Sequence, residues 1–157
     1  MRVGITGHRG LSQAVEELVR PMLAAAVAEH DPAELVGVSC IADGPDSWFA
    51  EAVLHHGGRI EVVVPALGYR ESLPGWHHPT YDRLMRQAAD LHETGIRDSD
   101  SQAHMSGSEL LVCLVDELLA VWDGKPARGY GGTADVVAYA GRQATAVRIL
   151  WPEGASR

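Results

Sequence analysis

The chain has 157 residues, a length typical of one domain, so we expect residues 1–157 to form one core with one site. Apolar residues make up 46% and charged residues 22%, which excludes the composition of a disordered chain. The net charge of −8 argues against a nucleic-acid partner, because such affinity comes mainly from lysine and arginine side chains that neutralise phosphates.

The first predicted unit is a strand, a turn and a helix. Val3–Thr6 is short and apolar, and the glycine-bearing turn Gly7–Gly10 follows it at once. Pro21 is expected to kink the helix or to mark the boundary of its first turn. The helix starts near Ser12, a suitable N-cap, and its apolar residues recur at three- and four-residue spacing: Val15, Leu18, Val19, Met22, Leu23, Ala26 and Val27.

The second and third strands are predicted at Leu35–Cys40 and Ile60–Val64, two apolar, β-branched runs. Between them a helix begins after the turn at residues 43–46, with Asp43 or Gly44 as its N-cap. This helix is expected to end at Gly57, where a glycine pair begins.

Two long polar segments then interrupt the alternation of strands and helices. Residues 66–79 are rich in glycine, proline and histidine, and they precede a helix that is predicted to open at Thr80 and to include Leu91. Residues 94–104 form a second polar loop before a helix over roughly 105–115. Loops of this length are usually functional or mobile, so both are candidates for gating a site.

The remaining elements are a strand at Leu118–Trp122, a helix opened by Gly129–Thr133 and a last strand at Ala146–Leu150. Strands that alternate with helices predict an α/β fold: a Rossmann-like, doubly wound, mainly parallel sheet of about five or six strands flanked by helices. Ligands of such sheets bind beyond the carboxyl ends of the strands, near the switch in strand order. The polar and glycine-rich motifs of this chain follow the predicted strands at those ends.

The glycine-rich turn before the last helix predicts a phosphate site. Its residues Gly129, Gly131, Gly132 and Thr133 would let backbone amides approach an anion, and the helix that follows adds unpaired N–H groups and a favourable dipole. The turn matches neither a Walker A sequence nor the dinucleotide fingerprint. The alternative is an ordinary turn in which Thr133 is only the N-cap.

Other strand ends supply further candidate ligand-binding residues. Arg9 is suited to bidentate pairing with a phosphate, although a surface arginine in a turn is the common alternative. Asp46 is suited to accept hydrogen bonds from ribose hydroxyls, although residues 43–46 have the alternative of being only a helix start. The full set of candidates from these strand ends is Gly7, His8, Arg9, Asp43, Gly44, Asp46, Asp123 and Gly124.

Membrane and metal sites are not expected. No run approaches the roughly 18 apolar residues that a membrane span needs, so we expect a cytoplasmic protein. Cys40 and Cys113 each lie in an apolar segment, which predicts two buried thiols in place of a disulfide. The spacing of the cysteines and of the adjacent histidine pairs does not favour chelation of one metal ion.

Taken together, these motifs resemble the SLOG superfamily, the Rossmann-like group that includes DprA and the LOG phosphoribohydrolases. The motifs that carry the resemblance span nearly the whole chain: Thr6–Arg9, Ala42–Asp46, Val64–Ala66, Trp122–Gly124 and Gly131–Asp135. The resemblance implies a pocket for a nucleotide or a nucleotide-derived ligand, with the Gly-Gly-Thr turn on its phosphate. It implies no required cofactor, and it implies a homodimer or a higher homo-oligomer.

The chain departs from the LOG pattern Pro-Gly-Gly-x-Gly-Thr-x-x-Glu, because Val136 stands three residues after Thr133. Binding or sensing of a nucleotide without robust catalysis is therefore the first hypothesis. The alternative is an N-glycosidase or nucleoside-monophosphate phosphoribohydrolase that uses Asp135, Asp46 or Asp123 as its carboxylate. A third hypothesis is a homo-oligomeric interaction module, suggested by apolar residues such as Trp48 and Phe49.

Overall fold

The sheet of the computed structural model, which describes residues 1–157, has six strands, and all neighbouring pairs are parallel. The strands are β1 (Arg2–Gly7), β2 (Val36–Ser39), β3 (Arg59–Val64), β4 (Asp90–Glu93), β5 (Glu117–Val121) and β6 (Ala146–Ile149). Their order across the sheet is β4-β3-β2-β1-β5-β6. The predicted doubly wound α/β fold of Rossmann-like type is confirmed.

Helices cover both faces of this sheet. They are α1 (Gln13–Ala28), α2 (Pro45–His56), α3 (Tyr69–Ser72), α4 (His78–Gln87), α5 (Ser101–Cys113) and α6 (Thr133–Arg142), with a turn of 3₁₀ helix at Gly75–His77. α1 and α4 both pack against α2, whereas α5 packs against α6. None of these helices has the length and apolar character needed to span a membrane.

The core fills the space between the central strands and the helices, where strands covered on both faces have near-continuous apolar runs. Its largest fully buried side chains include Leu23, Leu35, Phe49, Ile60, Leu111 and Leu118. Trp48 and Phe49 belong to this core, with exposed fractions of 9% and 0%, so neither side chain presents a surface to a partner. The formation of a homo-oligomer stays a prediction.

The strand order places a crevice beside β1. The chain builds the sheet in one direction from β1 to β4 and then returns to add β5 on the other side of β1. The connections that leave the carboxyl ends of β1 and β5 therefore diverge onto opposite sides, which opens a crevice between them. Residues that follow these two strands line a common site.

The structure corrects two predictions about helix boundaries. α1 runs without interruption from Gln13 to Ala28, so Pro21 lies inside the helix and does not mark its first turn. Burial of the apolar face of α1 offsets the backbone donor that Pro21 lacks. α5 begins at Ser101, about four residues earlier than predicted, because the Asp100 carboxylate caps it by accepting a 2.8 Å hydrogen bond from the Ala103 N–H.

Residues 66–79 are more ordered than the predicted loop. They contain α3 and the 3₁₀ turn, and α4 begins at His78, two residues before Thr80. α4 ends at Gln87, so Leu91 belongs to a strand that the sequence analysis missed. That strand, β4, has the sequence Asp-Leu-His-Glu and pairs only with β3, so most of its residues are exposed and it lacks the apolar signal of a buried strand.

The prediction of two buried thiols is half wrong. Cys40 is buried, but Cys113 is exposed at the last turn of α5, where its Sγ lies 3.7 Å from the Tyr139 hydroxyl. Both cysteines are free thiols. Cys113 occupies the outer side of a helix whose inner side is buried through residues such as Leu111 and Val112, so an apolar sequence neighbourhood did not fix its own exposure.

A charged cluster links β1, β3 and β4 at one edge of the sheet. The Glu61 carboxylate accepts hydrogen bonds from the Arg2 guanidinium at 2.7 and 3.2 Å and lies 2.7 Å from the His92 Nε2 atom. Glu61, Asp90 and His92 have the donor atoms to hold a metal ion, yet Arg2 already neutralises the most buried of the three. We interpret this cluster as structural.

Replacing Glu61 by glutamine is expected to lower the free energy of unfolding at pH 7 by about 1–2 kcal/mol, the scale of a charge-assisted hydrogen-bond pair near the surface. Hydrogen bonds from Arg2 lower the pKa of Glu61 from 4.5 to about 2. The native state therefore favours the ionised group, and its contribution is lost as the pH falls from about 4.5 to about 2.

Urea unfolding at several pH values measures this difference. E29Q is the matched control, because the Glu29 carboxylate pairs with Arg148 on the surface with 55% of its side chain exposed. Loss of stability in E61Q that is equal to that of E29Q, or independent of pH, contradicts the interpretation.

Candidate functional site

A cleft of about 260 Å³ opens at the carboxyl ends of β1 and β5. Its walls come from six parts of the chain: the turn after β1, the turn after β2, the segment around Tyr69, the segment around His104, the stretch from Arg128 to Val136, and Arg157. The volume is close to the lower end of the roughly 300–1,000 Å³ typical of small-molecule sites. The cleft is the size of a small ligand.

Gly7 brings the first two of these walls together. A Cβ atom at this position would lie 2.7 Å from the Cβ of Pro45 at the start of α2, so any larger residue would push β1 and α2 apart. The turn that carries His8 and Arg9 is thereby held against the turn that carries Asp46. The role of Gly7 is close packing, in addition to lining the cleft.

His8 belongs to a buried network with Asp123 and Arg157. The side chains of His8 and Asp123 are each 5% exposed, and the His8 Nε2 lies 3.1 Å from the Asp123 Oδ1. The Arg157 Nη1 donates to the His8 Nδ1 at 3.0 Å, and the Arg157 Nε lies 2.9 Å from the Asp123 Oδ2 in an ion pair. Because an arginine only donates, the neutral His8 ring that accepts at Nδ1 carries its proton on Nε2, and the Asp123 N–H, 3.2 Å from Nε2, is then a close contact and not a donor to it.

At neutral pH, His8 is uncharged and Asp123 is ionised, as these residues usually are. Burial and the Arg157 charge lower the pKa of His8, so the ring is neutral. Burial opposes ionisation of Asp123, but hydrogen bonds from the Lys125 N–H and from His8 outweigh it, and the pKa of Asp123 is lowered. Asp123 is therefore an ionised carboxylate whose oxygens are already engaged by groups of the protein.

The structure places two predicted site residues, Asp123 and Gly124, outside the lining of the cleft. Gly124 has a φ of +81° and forms the tight turn that brings the Lys125 N–H to the Asp123 carboxylate. These residues support the cleft by positioning His8. Arg157, which the sequence analysis did not single out, does line the cleft.

Arg9 is held at the cleft by Asp43. The Arg9 Nε and Nη2 atoms donate to the Asp43 Oδ1 at 2.9 and 2.6 Å. Arg9 lines the cleft with 43% of its side chain exposed, whereas Asp43 is 8% exposed and lies behind it. Gly44, with a φ of +96°, is the N-cap of α2 and also lies outside the cleft. The Arg9 Nη1 group remains available to a ligand.

The turn after β2 is strained. Ile41 has a φ of +46°, a left-handed conformation that is a true outlier for a β-branched residue and costs on the order of 1–3 kcal/mol. Two buried side-chain hydrogen bonds hold it there: the Ser39 Oγ accepts from the Ile41 N–H at 2.9 Å, and the Ile41 carbonyl accepts from the His77 Nε2 at 2.9 Å. The Ser47 hydroxyl donates to the next carbonyl, that of Ala42, at 2.7 Å.

This strained turn positions the carboxyl group of Asp46 at the cleft. The Asp46 Oδ2 accepts from the Ala42 N–H at 3.3 Å, and the other carboxyl oxygen has no partner within the chain. Burial raises the pKa of Asp46 to about 7, against smaller opposing effects of the Ala42 N–H and the Arg9 charge. Asp46 is the one acidic residue that lines the cleft, and near neutral pH it exists in both protonation states.

The glycine-rich turn before α6 requires its glycines at two positions. Gly131 has a φ of +84°, and a Cβ atom there would lie 2.9 Å from the Ser101 carbonyl oxygen. A Cβ atom on Gly132 would lie 2.8 Å from that of Ala127. Gly129 has open space around it. All three glycines line the cleft, but only Gly131 and Gly132 are sterically required.

Asp135 stabilises this turn and does not line the cleft. Its Oδ2 accepts a 2.9 Å hydrogen bond from the Gly131 N–H, so the carboxylate points back at the turn. The structure thus separates the three carboxylates proposed for catalysis. Asp46 lines the cleft, whereas Asp135 and Asp123 are engaged by groups of the chain.

The N-terminus of α6 presents free donors to the cleft. The N–H groups of Thr133 and Ala134 are the first two of the helix and donate to no group of the chain. Thr133 is 6% exposed and lines the cleft, and its hydroxyl also makes no hydrogen bond within the chain. Backbone donors at a helix N-terminus favour an anion, since the helix dipole adds to their effect.

Three arginines line the cleft, namely Arg9, Arg128 and Arg157, against the single carboxyl group of Asp46. Asp43 and Asp123 pair with Arg9 and Arg157 from behind the lining. Arg128 is exposed and has no ion-pair partner, so it is the arginine whose charge is left for an anion.

Tyr69 and His104 come from the two long polar segments that the sequence marked as candidates for gating. They contact each other edge to face, with ring centroids 5.6 Å apart, and both line the cleft. Burial and the Arg9 charge lower the pKa of His104, whose Nε2 lies 2.8 Å from the Ser99 Oγ. Segment length was the signal that pointed to these positions, but it could not identify the two side chains.

Sequence comparison finds no matching family model and no matching curated protein. Solved structures match in fold. DNA processing protein A from Helicobacter pylori, described as binding single-stranded DNA, shares 17% identity with a TM-score of 0.68 over 100% of this chain and 66% of its own. DprA from Streptococcus pneumoniae shares 17% identity with a TM-score of 0.67, covering 94% of this chain and 49% of its own.

The molybdenum cofactor (Moco) carrier protein from Chlamydomonas reinhardtii also matches, at 17% identity and a TM-score of 0.57, covering 97% of this chain and 77% of its own. This chain spans about two thirds of the length of the Helicobacter pylori DNA processing protein and about half of the length of the Streptococcus pneumoniae one. At such identities the likeness shows a shared fold.

Proposed function

We propose that this chain, which has the Rossmann-like fold of the SLOG superfamily, binds or senses a nucleotide or a nucleotide-derived phosphorylated molecule in its cleft. One observation carries the proposal. Thr133 lines the same cleft as three arginines, and neither its N–H nor its hydroxyl has a partner in the chain; the free N–H of Ala134 follows in the same first turn of α6. Buried polar groups of folded proteins nearly always have partners, so donors left free in a cleft are suited to a ligand.

The phosphate of such a ligand fits the end of the cleft at α6. Two backbone N–H groups and a hydroxyl there supply three donors for phosphate oxygens, and Gly131 and Gly132 let the backbone approach closely. Arg128 adds a charge that is not engaged by any carboxylate of the chain. These donors form hydrogen bonds that are strengthened by the ligand charge.

A small ligand accounts for the site better than a nucleic-acid polymer. The arginines of the site surround a cleft of about 260 Å³, whereas a strand of nucleic acid needs a basic groove that follows its backbone. The chain as a whole carries a net charge of −8, which repels a polyanion. The proposed ligand is therefore a single phosphorylated molecule.

A thermal-shift screen tests the proposal with nucleoside mono-, di- and triphosphates, NAD, ADP-ribose and cyclic dinucleotides. A ligand present at about 100 times its dissociation constant adds about 2.7 kcal/mol to stability. R128Q is expected to weaken the strongest binder about tenfold, because it removes a charged donor at the phosphate end.

R59Q is the control for this variant, since Arg59 is exposed at the amino end of β3 and lies outside the cleft. A screen in which no phosphorylated compound shifts the melting temperature contradicts the proposal. Equal loss of affinity in R59Q and R128Q contradicts the assignment of the phosphate end.

A second candidate function is cleavage of an N-glycosidic bond, and the position and pKa of Asp46 favour it. A general acid or base works best when its pKa lies near the working pH, and the pKa of Asp46 is about 7. Chromatography of each screened mixture detects released base. We expect D46N to abolish release while binding through the phosphate end of the ligand persists; release that persists in D46N excludes Asp46 as the catalytic group.

A further inference from the structure

We propose that Asp46 and Tyr69 form a second recognition point in the cleft, a subsite for the vicinal hydroxyls of a phosphorylated pentose. This inference rests on the proposed function, because it takes the phosphate to lie at the N-terminus of α6. It specifies the part of the ligand that lies away from the phosphate: a pentose with free 2′ and 3′ hydroxyls.

The first support is the pair of polar groups that lack partners. Tyr69 lines the cleft and is 4% exposed, and it makes hydrogen bonds only through its backbone, so its hydroxyl is free. The Asp46 Oδ1 is likewise without a partner. Both residues line the same cleft, and neither oxygen is sealed away from it. A ligand hydroxyl can therefore take the place of water at each of them.

The second support is the strained turn that places Asp46. Ile41 is held in a conformation that its side chain disfavours: its N–H donates to Ser39 and its carbonyl accepts from His77, while Ser47 donates to the carbonyl of Ala42. Those bonds fix the backbone from which the Ala42 N–H reaches the Asp46 carboxyl group. Strain that the surrounding structure maintains is typical of positions that bind ligands.

The charges around Asp46 select a neutral hydrogen-bonding group. Arg9 lies close enough to lower the pKa of Asp46, so a ligand cation would be repelled there. Asp46 is the acidic group of the cleft and is ionised in part near pH 7, so a second phosphate would be repelled there. Hydroxyl groups both donate and accept, which matches a carboxyl group that exists in both protonation states and a phenol beside it.

The environment of the Tyr69 ring favours a sugar over a base at this subsite. His104 contacts the ring edge to face at 5.6 Å, and Tyr81 packs against it at 6.1 Å. The ring is therefore engaged by the core, and the hydroxyl is the part of Tyr69 that remains for a ligand. A base would need an open aromatic face on which to stack.

Calorimetric titration of the full chain tests the subsite with matched pairs that differ only in the 2′-hydroxyl. The probes are the four ribonucleoside 5′-monophosphates and ribose 5-phosphate, each against its 2′-deoxy counterpart. We expect the ribose form of the best ligand to bind about tenfold more tightly, because the deoxy form lacks the hydroxyl that would make hydrogen bonds at this subsite. Ribose 5-phosphate that matches the nucleotides identifies the ligand as a sugar phosphate; weaker binding identifies a nucleotide.

Y69F is expected to remove most of this preference while it leaves the affinity for the deoxy form unchanged. Y81F is the matched control, since Tyr81 is also 4% exposed but does not line the cleft. Equal binding of both members of every pair overturns the subsite and leaves the phosphate site standing. An equal effect of Y69F on both members, or of Y81F on the preference, also overturns the subsite. No binding by any probe overturns the subsite together with the proposed function.

Discussion

The D46N variant is expected to be more stable than the wild type at pH 8, by about 2 kcal/mol or more, a scale set by 1.36 kcal/mol per unit of pKa shift and reduced for solvent access. Burial raises the pKa of Asp46 from 3.8 to about 7, so folding favours the protonated group. The contribution of Asp46 to wild-type stability should therefore be most favourable below about pH 4, fall as the pH rises towards about 7, and stay constant above it.

Asparagine has the same shape as the protonated carboxyl group and cannot ionise, so D46N should not show this fall. Thermal melts from pH 4 to pH 8 measure the effect, which corresponds to a rise in melting temperature of roughly 5 °C at pH 8 for a domain of this size. D98N is the control, because Asp98 is exposed and has no ion-pair partner. A D46N protein that is less stable than the wild type at every pH would show that the carboxylate stabilises the fold.

The G131A variant is expected to lose about 10–100-fold in affinity for phosphorylated ligands, a scale typical of a displaced group of oriented donors. The new Cβ atom would lie 2.9 Å from the Ser101 carbonyl oxygen, and the φ of +84° is unfavourable for alanine. The turn must shift, and with it the hydrogen bond from the Gly131 N–H to Asp135.

G129A is the matched control, since nothing lies within 4 Å of a Cβ atom at Gly129. It should retain both affinity and stability, whereas G131A should also lower the free energy of unfolding by about 1–3 kcal/mol. Calorimetry and thermal melts compare the two variants. Affinities that fall equally, or that fall in neither variant, contradict the role assigned to the turn.

The sheet and the position of the cleft followed from local signals in the sequence. Buried parallel strands have continuous apolar runs, which marked Leu35–Cys40 and Ile60–Val64 correctly to within a residue or two. Glycine-rich and polar residues directly after strands placed Gly7–Arg9 and Gly129–Thr133 at the carboxyl edge. The edge strand β4 escaped notice because an exposed strand paired on one side needs no apolar pattern.

The roles of individual charged residues depended on partners far away in the chain. Asp123 follows a strand as a ligand-binding carboxylate would, but it is engaged by Arg157 and His8. Asp135 lies in the first turn of a helix, and its carboxylate accepts a hydrogen bond from the Gly131 N–H of the preceding turn. No local pattern reports which of these carboxylates is already hydrogen-bonded.

The properties of Asp46 and Tyr69 likewise come from the folded environment. The sequence placed Asp46 at a strand end, but the burial that raises its pKa is contributed by neighbouring segments. Tyr69 lies in a segment whose length alone suggested a function, and only its packing against His104 and Tyr81 leaves the hydroxyl as the accessible group. Local signals can locate a site, whereas its chemistry depends on contacts that form on folding.

The most direct test of the account is a backbone amide NMR titration of the ¹⁵N-labelled chain with the strongest phosphorylated ligand from the screen. We expect the largest shifts at the free N–H groups of Thr133 and Ala134, with smaller shifts in the turn after β1. Shifts that cluster elsewhere, such as the groove lined by Arg20 and Trp48 on the face of α2, would contradict the proposed site, as would the absence of any shift.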